Sequence, residues 1–226
     1  MKIEQIYTGC LAQGAYYIMS EGEVAIIDPL REVDPYIQKA NLDKAKIKYV
    51  LETHFHADFV SGHIDLAKKT GAKIVFGPTA APAFEFHSAK DNEEIKLGKV
   101  KIRVLHTPGH TMESTTYLLI NEVGKEEAIF SGDTLFLGDV GRPDLAQKAA
   151  DMTQEQLAGM LYESLMTKIM PLADDITVLF NGYTYTNVVF NDVQGIENLI
   201  SLNLIGVDGD NTLKIKLSEE VTDTLM

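Results

Sequence analysis

The sequence contains a single cysteine, Cys10, and no tryptophan. One cysteine excludes an intramolecular disulfide framework and any cysteine-rich zinc or iron–sulfur site. Any bound metal must therefore be held by histidine and carboxylate side chains. No apolar run approaches the roughly 20 residues of a membrane-spanning helix. The first residues also lack a basic segment followed by an apolar one, so we expect no signal peptide and a cytoplasmic location.

Basic residues are fewer than acidic ones. The 20 lysines and arginines face 33 aspartates and glutamates, which gives a formal net charge of −13. This excess repels phosphate backbones and anionic lipids, so we expect neither nucleic-acid binding nor membrane-surface binding. With 226 residues, of which 45% are hydrophobic and 23% charged, the chain is long and apolar enough to bury a sizeable core.

Short segments rich in β-branched and aromatic residues alternate with helical patterns along the chain. Strands are predicted at IEQIY, AYYIM, VAIID, IKYVLET, AKIVFG, EIKLG, KVKIRVLHT, STTYLLI, EEAIFSGD and ITVLF. Helical patterns cover residues 34–42, 59–70 and 143–170. Asp34 before Pro35 predicts an N-cap, and Thr153 with Gln156 predicts a capping box. Two successive halves with strands and helices predict an α/β (α+β) fold of two sheets between helices.

Side chains able to bind a metal lie at the ends of three predicted strands. His54, His56 and Asp58 follow one strand, His110 follows a second in a Thr-Pro-Gly-His turn, and Asp133 ends a third. Loops at strand ends are the usual place for such sites. Imidazole with carboxylate suits iron and zinc, and ligand types alone do not decide between iron oxygen chemistry and zinc hydrolysis.

The remaining histidines are predicted to lie outside the ligand set. His63 falls inside a helical pattern and His87 in a loop away from the motifs, so both are expected to be structural. His106, just before the Thr-Pro-Gly-His turn, is expected beside the ligands rather than among them.

Three separated segments carry a family resemblance. ETHFHADFVSGH, HTPGHTMES and SGDTLFLGDVGRPDL resemble the signature segments of the metallo-β-lactamase superfamily, and are most similar to its persulfide dioxygenase (sulfur dioxygenase) branch, which includes rhodanese-fused bacterial members. The resemblance implies an αββα sandwich of two mixed sheets with the metal at one edge. It covers a metallo-β-lactamase-like domain at residues 1–180, and residues 181–226 are expected to be an atypical segment that completes or extends this domain.

The resemblance also implies which residues hold the metal. It maps the first metal site of the family onto His54, His56, His110 and Asp133. In the persulfide dioxygenases the iron is held mainly by the residues that match His54, His110 and Asp133, with the residue that matches His56 nearby. A two-metal member, such as a glyoxalase II-type thioesterase, would have a histidine in place of Phe59 and another late in the chain, but no histidine follows His110 here. We therefore predict one metal per chain, Fe(II), with zinc as the alternative.

The function implied by the resemblance is a persulfide dioxygenase. It would use dioxygen to oxidise a low-molecular-weight thiol persulfide, such as glutathione persulfide, to sulfite and the thiol. Two other hypotheses stay open: a zinc-dependent thioester hydrolase of glyoxalase II type, and a catalytically impaired binding protein with the same fold. A rhodanese partner and a homodimer are further hypotheses.

Three more residues are candidates for roles around the metal. Asp58 is predicted to orient a ligand or a bound water, and capping of the following helix is an equal alternative. Arg142 is predicted to bind a carboxylate of the thiol substrate, and an ion pair with Asp139 or Asp144 is the alternative. Tyr183 is a candidate for the wall of the substrate pocket, with simple packing as the alternative.

Overall fold

The computed structural model describes residues 1–9, 11, 13–136, 139–173 and 175–179. These residues form two β-sheets that pack face to face, with helices on both outer surfaces. Tyr183 and the segment 181–226 lie outside the described residues, so the predictions for them stay predictions.

Among the described residues, the first sheet has six strands in the order in which they occur in the chain. Its strands are β1 (Lys2–Thr8), β2 (Gln13–Ser20), β3 (Glu23–Ile27), β4 (Lys46–Leu51), β5 (Lys73–Phe76) and β6 (His87–Ser88). The first three strands pair antiparallel, whereas β3 to β6 pair parallel. The sheet is therefore mixed.

Within the described part of the chain, the second sheet has five strands in the order β11-β10-β9-β8-β7. They are β7 (Glu94–Leu97), β8 (Val100–His106), β9 (Thr115–Ile120), β10 (Glu126–Phe130) and β11 (Thr177–Leu179). Strands β7 to β10 form an antiparallel meander, and β11 joins β10 in parallel. This sheet is also mixed.

Side chains alternate between the two faces of each strand, and this alternation builds the layers. In β2, Tyr16 and Ile18 belong to the core between the sheets, whereas Tyr17 points to the outer face. The ring of Tyr16 meets that of Phe130 from the second sheet edge to face, with centroids 5.0 Å apart. Burial of this apolar surface is the main favourable contribution to folding.

Helices cover both outer faces. They are α1 (Asp34–Leu42), α2 (His63–Thr70), α3 (Gln147–Ala150) and α4 (Gln154–Ser164), the last continuing as a π-helix over Leu165–Ile169. Helices α1 and α2 pack on the first sheet through residues such as Tyr36 and Leu66. Helix α4 packs on the second sheet through Leu161. The predicted αββα sandwich is confirmed. Among the described residues, no helix is both long and apolar enough to cross a membrane.

Two predicted helix starts were wrong. Asp34 is the first helical residue rather than the cap, because the N-cap is Val33, and Asp34 instead pairs with Lys69 across 2.6 Å. Helix α2 begins at His63, four residues later than predicted. The delay arises because Ser61 forms a β-bridge with Leu30, which keeps the preceding backbone extended.

The long helical pattern at 143–170 is interrupted in the structure. Asp151 adopts a left-handed conformation with φ of 52° after α3, and the chain then restarts in α4. The predicted capping box is confirmed, because the Thr153 side chain accepts from the Gln156 backbone while the Gln156 side chain accepts from the Thr153 backbone. Such a reciprocal cap begins a helix by satisfying two of its free N–H groups.

The contact between the His110 turn and α4 generates a stability prediction. Gly109 has φ of 139°, and a Cβ at this position would lie 2.4 Å from the Leu161 backbone nitrogen. We expect Gly109→Ala to lower the free energy of unfolding by on the order of 2–4 kcal/mol, through backbone strain and overpacking. Chemical denaturation measures this change.

Gly159 is the matched control in the same helix. A Cβ there would have no neighbour within 4 Å. Gly159→Ala should therefore raise the free energy of unfolding by about 0.5–1 kcal/mol, the difference in helix propensity. Equal effects of the two substitutions would contradict the packing of the turn on α4.

Candidate metal centre

Three loops meet where strands of both sheets end. His54, His110 and Asp133 follow the carboxyl ends of β4, β8 and β10 respectively. Strands β8 and β10 both run antiparallel to β9, so their carboxyl ends lie at the same edge of the second sheet. The Thr115 N–H donates to the Thr53 carbonyl across 2.8 Å and so joins this edge to the first sheet.

Potential metal-binding atoms of these three residues converge. Asp133 Oδ2 lies 3.7 Å from His54 Nε2 and 3.4 Å from His110 Nε2. Ligand atoms about 2.1 Å from a tetrahedral metal lie about 3.4 Å from one another, so these separations suit a single ion. The two histidines are buried and Asp133 is partly exposed, so one side of the group is open to a substrate.

His54 is oriented by a chain of two hydrogen bonds. The Thr53 hydroxyl donates to Asp28 Oδ2 at 2.7 Å, because an ionised carboxylate can only accept. The same hydroxyl oxygen therefore accepts from His54 Nδ1–H at 2.9 Å. This tautomer leaves the Nε2 lone pair directed at Asp133. Burial lowers the pKa of His54 to about 3, so the imidazole is neutral, as metal binding requires.

His110 is oriented by the backbone instead. Its Nδ1–H donates to the carbonyl oxygen of Arg142 at 3.0 Å, which again leaves Nε2 as the free nitrogen. Gly141 makes this close approach feasible, because a Cβ there would lie 2.0 Å from the Asp133 carbonyl oxygen and 2.9 Å from His110 Nδ1. Hydrogen bonds of this kind to the second imidazole nitrogen are the usual support of metal-binding histidines.

His56 lies beside this group, and its Nε2 is near two buried carboxylates. Its ring contacts that of His54, with centroids 4.1 Å apart, and packs against Phe59 at 4.2 Å. Its Nε2 lies 3.2 Å from Asp28 Oδ1 and 3.8 Å from Glu52 Oε2. Burial disfavours the charged imidazole, but the Asp28 carboxylate outweighs it and raises the pKa of His56 to about 9. Burial and the Asp28 charge also raise the pKa of Glu52.

Asp58 and Arg142 differ in their exposure and in their contacts. Asp58 is exposed and does not cap α2, whose N-cap is Gly62, so the capping alternative was wrong. Arg142 pairs with Asp144 through Nε at 3.0 Å and Nη2 at 2.7 Å, so the ion-pair alternative is present. The Arg142 side chain is nevertheless 45% exposed.

The other histidines lie outside the converging group. His63 begins α2, and His87 pairs with Glu93 through Nε2 and Oε1 at 2.5 Å. His106 donates from Nε2 to the Met112 carbonyl at 2.9 Å.

Sequence reasoning missed three residues that support the site, Asp28, Glu52 and Thr53. The available signal was an acid at the end of each of two otherwise apolar strands, in AIIDP and VLET. Buried acids of this kind require specific partners.

The sequence matches a family model over residues 8–183, that of the metallo-beta-lactamase superfamily. Among curated proteins, the cytoplasmic hydroxyacylglutathione hydrolase of Arabidopsis thaliana is 33% identical, over 82% of this chain and 69% of that protein. A hydroxyacylglutathione hydrolase of a Polaromonas species is 30% identical, over 99% of this chain and 78% of that protein.

The fold of this chain is also similar to the folds of solved structures. A metallo-beta-lactamase from Staphylococcus aureus superposes with a TM-score of 0.71 at 36% identity, over 80% of this chain. The match spans only 56% of that longer chain. ETHE1 from Myxococcus xanthus superposes with a TM-score of 0.70 at 28% identity, over 81% of this chain and 76% of its own. The similarity to ETHE1 agrees with the branch that the three sequence segments indicated.

The expected persulfide dioxygenase function was wrong. Several of the most similar curated relatives, from a plant and from different bacteria, are named hydroxyacylglutathione hydrolases. The reason for the error is chemical, because imidazole and carboxylate ligands serve hydrolytic and oxidative metals alike. The segments around His54, His110 and Asp133 therefore identify a metal-site architecture and not its reaction.

The hydrogen-bonded chain behind His54 generates a prediction about metal affinity. Thr53→Val keeps the side-chain shape but can neither accept from His54 Nδ1–H nor donate to Asp28. We expect metal affinity at this centre to fall by about 10- to 100-fold, as for other losses of such supporting contacts. Competition with a chelating dye measures the affinity.

Thr167→Val is the control, because among the described residues the exposed Thr167 hydroxyl hydrogen-bonds to the Glu163 carbonyl of its own helix and not to the metal centre. Its metal affinity should match that of the unmodified protein. Unchanged affinity in Thr53→Val would contradict the orienting role of the chain.

Proposed function

The chain belongs to the metallo-β-lactamase superfamily, and from this premise we propose that it is a metal-dependent hydrolase of hydroxyacylglutathione-type thioesters. The observation that carries the proposal is the convergence of His54, His110 and Asp133 at an edge open to a substrate. The names of the curated relatives support the thioester as the substrate class.

The donor set of the centre suits a borderline divalent ion, and we propose Zn²⁺. The expectation of Fe(II) depended on dioxygen chemistry, whereas hydrolysis needs no redox change. A single ion is proposed at this centre because Phe59 occupies the position of a second-site histidine and packs on His56. Bound there, the ion would activate water and polarise the thioester carbonyl.

The protein residues of the centre have distinct tasks in this proposal. The Nδ1 atoms of His54 and His110 are both engaged in hydrogen bonds, so each ring presents Nε2 to the metal. Asp133 supplies the negative charge. Asp58, exposed four residues after His54, is the proposed acceptor that orients the attacking water.

Arg142 is the proposed contact for a carboxylate of the glutathione moiety. Its backbone carbonyl supports His110, so its side chain starts from the wall of the metal centre. The Arg142 side chain is partly exposed, and the planar fork of N–H donors on a guanidinium suits a carboxylate. Tyr183 remains a further candidate for the substrate pocket.

The proposed hydrolysis also affects the remaining predictions about partners, activity and location. Dioxygen and a rhodanese partner were expected for the dioxygenase, and neither has a role in hydrolysis. A catalytically impaired binding protein is not favoured, because the three candidate ligands converge and hydrogen bonds orient both imidazoles. A homodimer and a cytoplasmic location stay predictions, and the Arabidopsis relative is itself named cytoplasmic.

The proposed reaction is tested by following the loss of thioester absorbance with a hydroxyacylglutathione substrate and the Zn²⁺-loaded protein. We expect turnover that His110→Ala abolishes while it lowers the metal content by one equivalent. Asp58→Asn should lower kcat by about 10²-fold or more, the usual effect of losing a general base, and leave the metal content unchanged. Absence of hydrolysis by fully loaded protein would refute the proposed function.

The proposed substrate contact makes a separate prediction about KM. Loss of a charge-assisted hydrogen bond costs about 1.5–3 kcal/mol, so Arg142→Ala should raise KM roughly 10- to 100-fold and change kcat less. Steady-state kinetics with the same thioester measures both constants. Arg103→Ala is the control, because Arg103 pairs with Glu94 on β7 rather than with residues of the centre. Equal KM values in the two variants would remove Arg142 from the substrate site.

A further inference from the structure

The loop that contains His54 forms no regular secondary structure of its own. Residues 52–60 belong to no helix or strand, since β4 ends at Leu51 and α2 begins at His63. The His54 ring nevertheless meets that of His110 at a defined angle, with centroids 5.0 Å apart and an interplanar angle of 84°. The contacts of the peptide groups on either side of His54 therefore decide where its imidazole lies.

Both of these peptide groups are bound by the segment that follows His110. The Thr53 carbonyl accepts from the Thr115 N–H at 2.8 Å, a bond between backbone groups that nearly any residue supplies. The Phe55 N–H donates to Glu113 Oε1 at 3.0 Å. Hydrogen bonds to an ionised carboxylate are stronger than those between neutral groups. The hold on the peptide group after His54 is therefore specific to the side chain of Glu113.

The turn that carries Glu113 is itself held in place by the residues on both sides of it. Ser114 is buried, and its Oγ accepts from the Thr111 N–H at 3.0 Å and lies 2.8 Å from the Thr111 hydroxyl. The Met112 carbonyl accepts from the Thr79 hydroxyl at 2.9 Å. Glu113 thus extends from a constrained backbone, whereas the N–H that it binds lies in an irregular loop.

We propose that Glu113 is a positioning residue of the metal centre, whose carboxylate holds the backbone that follows His54 and so sets the place of that imidazole relative to His110. It complements Thr53, whose hydroxyl orients the ring through Nδ1. In this role Glu113 acts through His54 and contacts neither the metal nor the substrate. The proposal concerns the arrangement of the ligands and holds for any reaction of the centre.

Zinc affinity tests this role, measured by competition with a chelating dye and without any thioester present. Glu113→Ala removes the acceptor of the Phe55 N–H, and we expect the affinity to fall about 10-fold or more, as for other losses of contacts that orient a ligand. Glu113→Gln should retain most of the affinity, because its amide oxygen can still accept that bond. Failure of the hydrolase proposal would leave this result unaffected.

The absorption spectrum of the Co²⁺-loaded protein reports the arrangement of the ligands. The d–d bands of Glu113→Ala should differ from those of the unmodified protein in position or intensity, whereas those of Glu113→Gln should coincide with them. A residue that only stabilised the fold would leave these bands unchanged.

Glu23→Ala is the matched control. The Glu23 carboxylate also accepts from a backbone N–H of the other sheet, that of Gly98 at 2.8 Å. Glu23 begins β3, which runs parallel to β4, so it lies at the opposite edge of the first sheet from the metal centre. Glu23→Ala should therefore lower the free energy of unfolding and leave the zinc affinity and the Co²⁺ bands unchanged.

Three results would overturn the proposal. They are unchanged zinc affinity in Glu113→Ala, equal losses of affinity in Glu113→Ala and Glu113→Gln, and an equal loss in Glu23→Ala. The second result would mean that the charge of Glu113 matters rather than its hydrogen bond, and the third that affinity follows general stability. If Glu113→Ala fails to fold, Glu113→Met takes its place, because it keeps a side chain of similar length without an oxygen acceptor.

Discussion

The metal centre depends on the hydrogen bonds of the buried Asp28 carboxylate. Its two oxygens accept from the backbone N–H and from the hydroxyl of Thr53, at 2.8 and 2.7 Å. The backbone of Asp28 is also constrained, because its N–H donates to the Leu51 carbonyl and its carbonyl accepts from the Gln13 side chain. A buried carboxylate is tolerated only when so many partners surround it. Because these contacts involve β2, β3 and β4, the orientation of His54 follows from the assembly of the first sheet.

Much of this architecture could be predicted from the sequence, because strand patterns depend on local side-chain alternation. The strands around Tyr16 and Tyr117 could be recognised in this way, and the candidate ligands could be found because they follow strand ends. The direction of His56 could not be predicted, since it depends on Asp28 and Glu52, which approach it only after β3 and β4 have paired. A local sequence pattern contains no information about contacts between residues that are far apart in the chain.

The chemistry was harder to predict than the fold for a related reason. Ligand residues must satisfy the coordination needs of a metal, and these needs differ little between hydrolytic and oxidative enzymes. In the proposed function, substrate choice would depend instead on residues at the rim, such as Arg142, whose side chain pairs with Asp144 and is still partly exposed. The three sequence segments thus identified the superfamily correctly while the reaction inferred from them was wrong.

The two histidines of the open centre are supported in different ways, and this difference affects how the protein can evolve. His54 depends on a side chain, that of Thr53, so few residues are acceptable at that position. His110 depends on the backbone carbonyl of residue 142, which nearly any amino acid supplies. Under the proposed function, selection could therefore exchange the side chain at position 142 to suit a new substrate without disturbing the metal centre. Among proteins with this site, we therefore expect residue 142 to vary with the substrate and residue 53 to stay constant because the metal centre requires it.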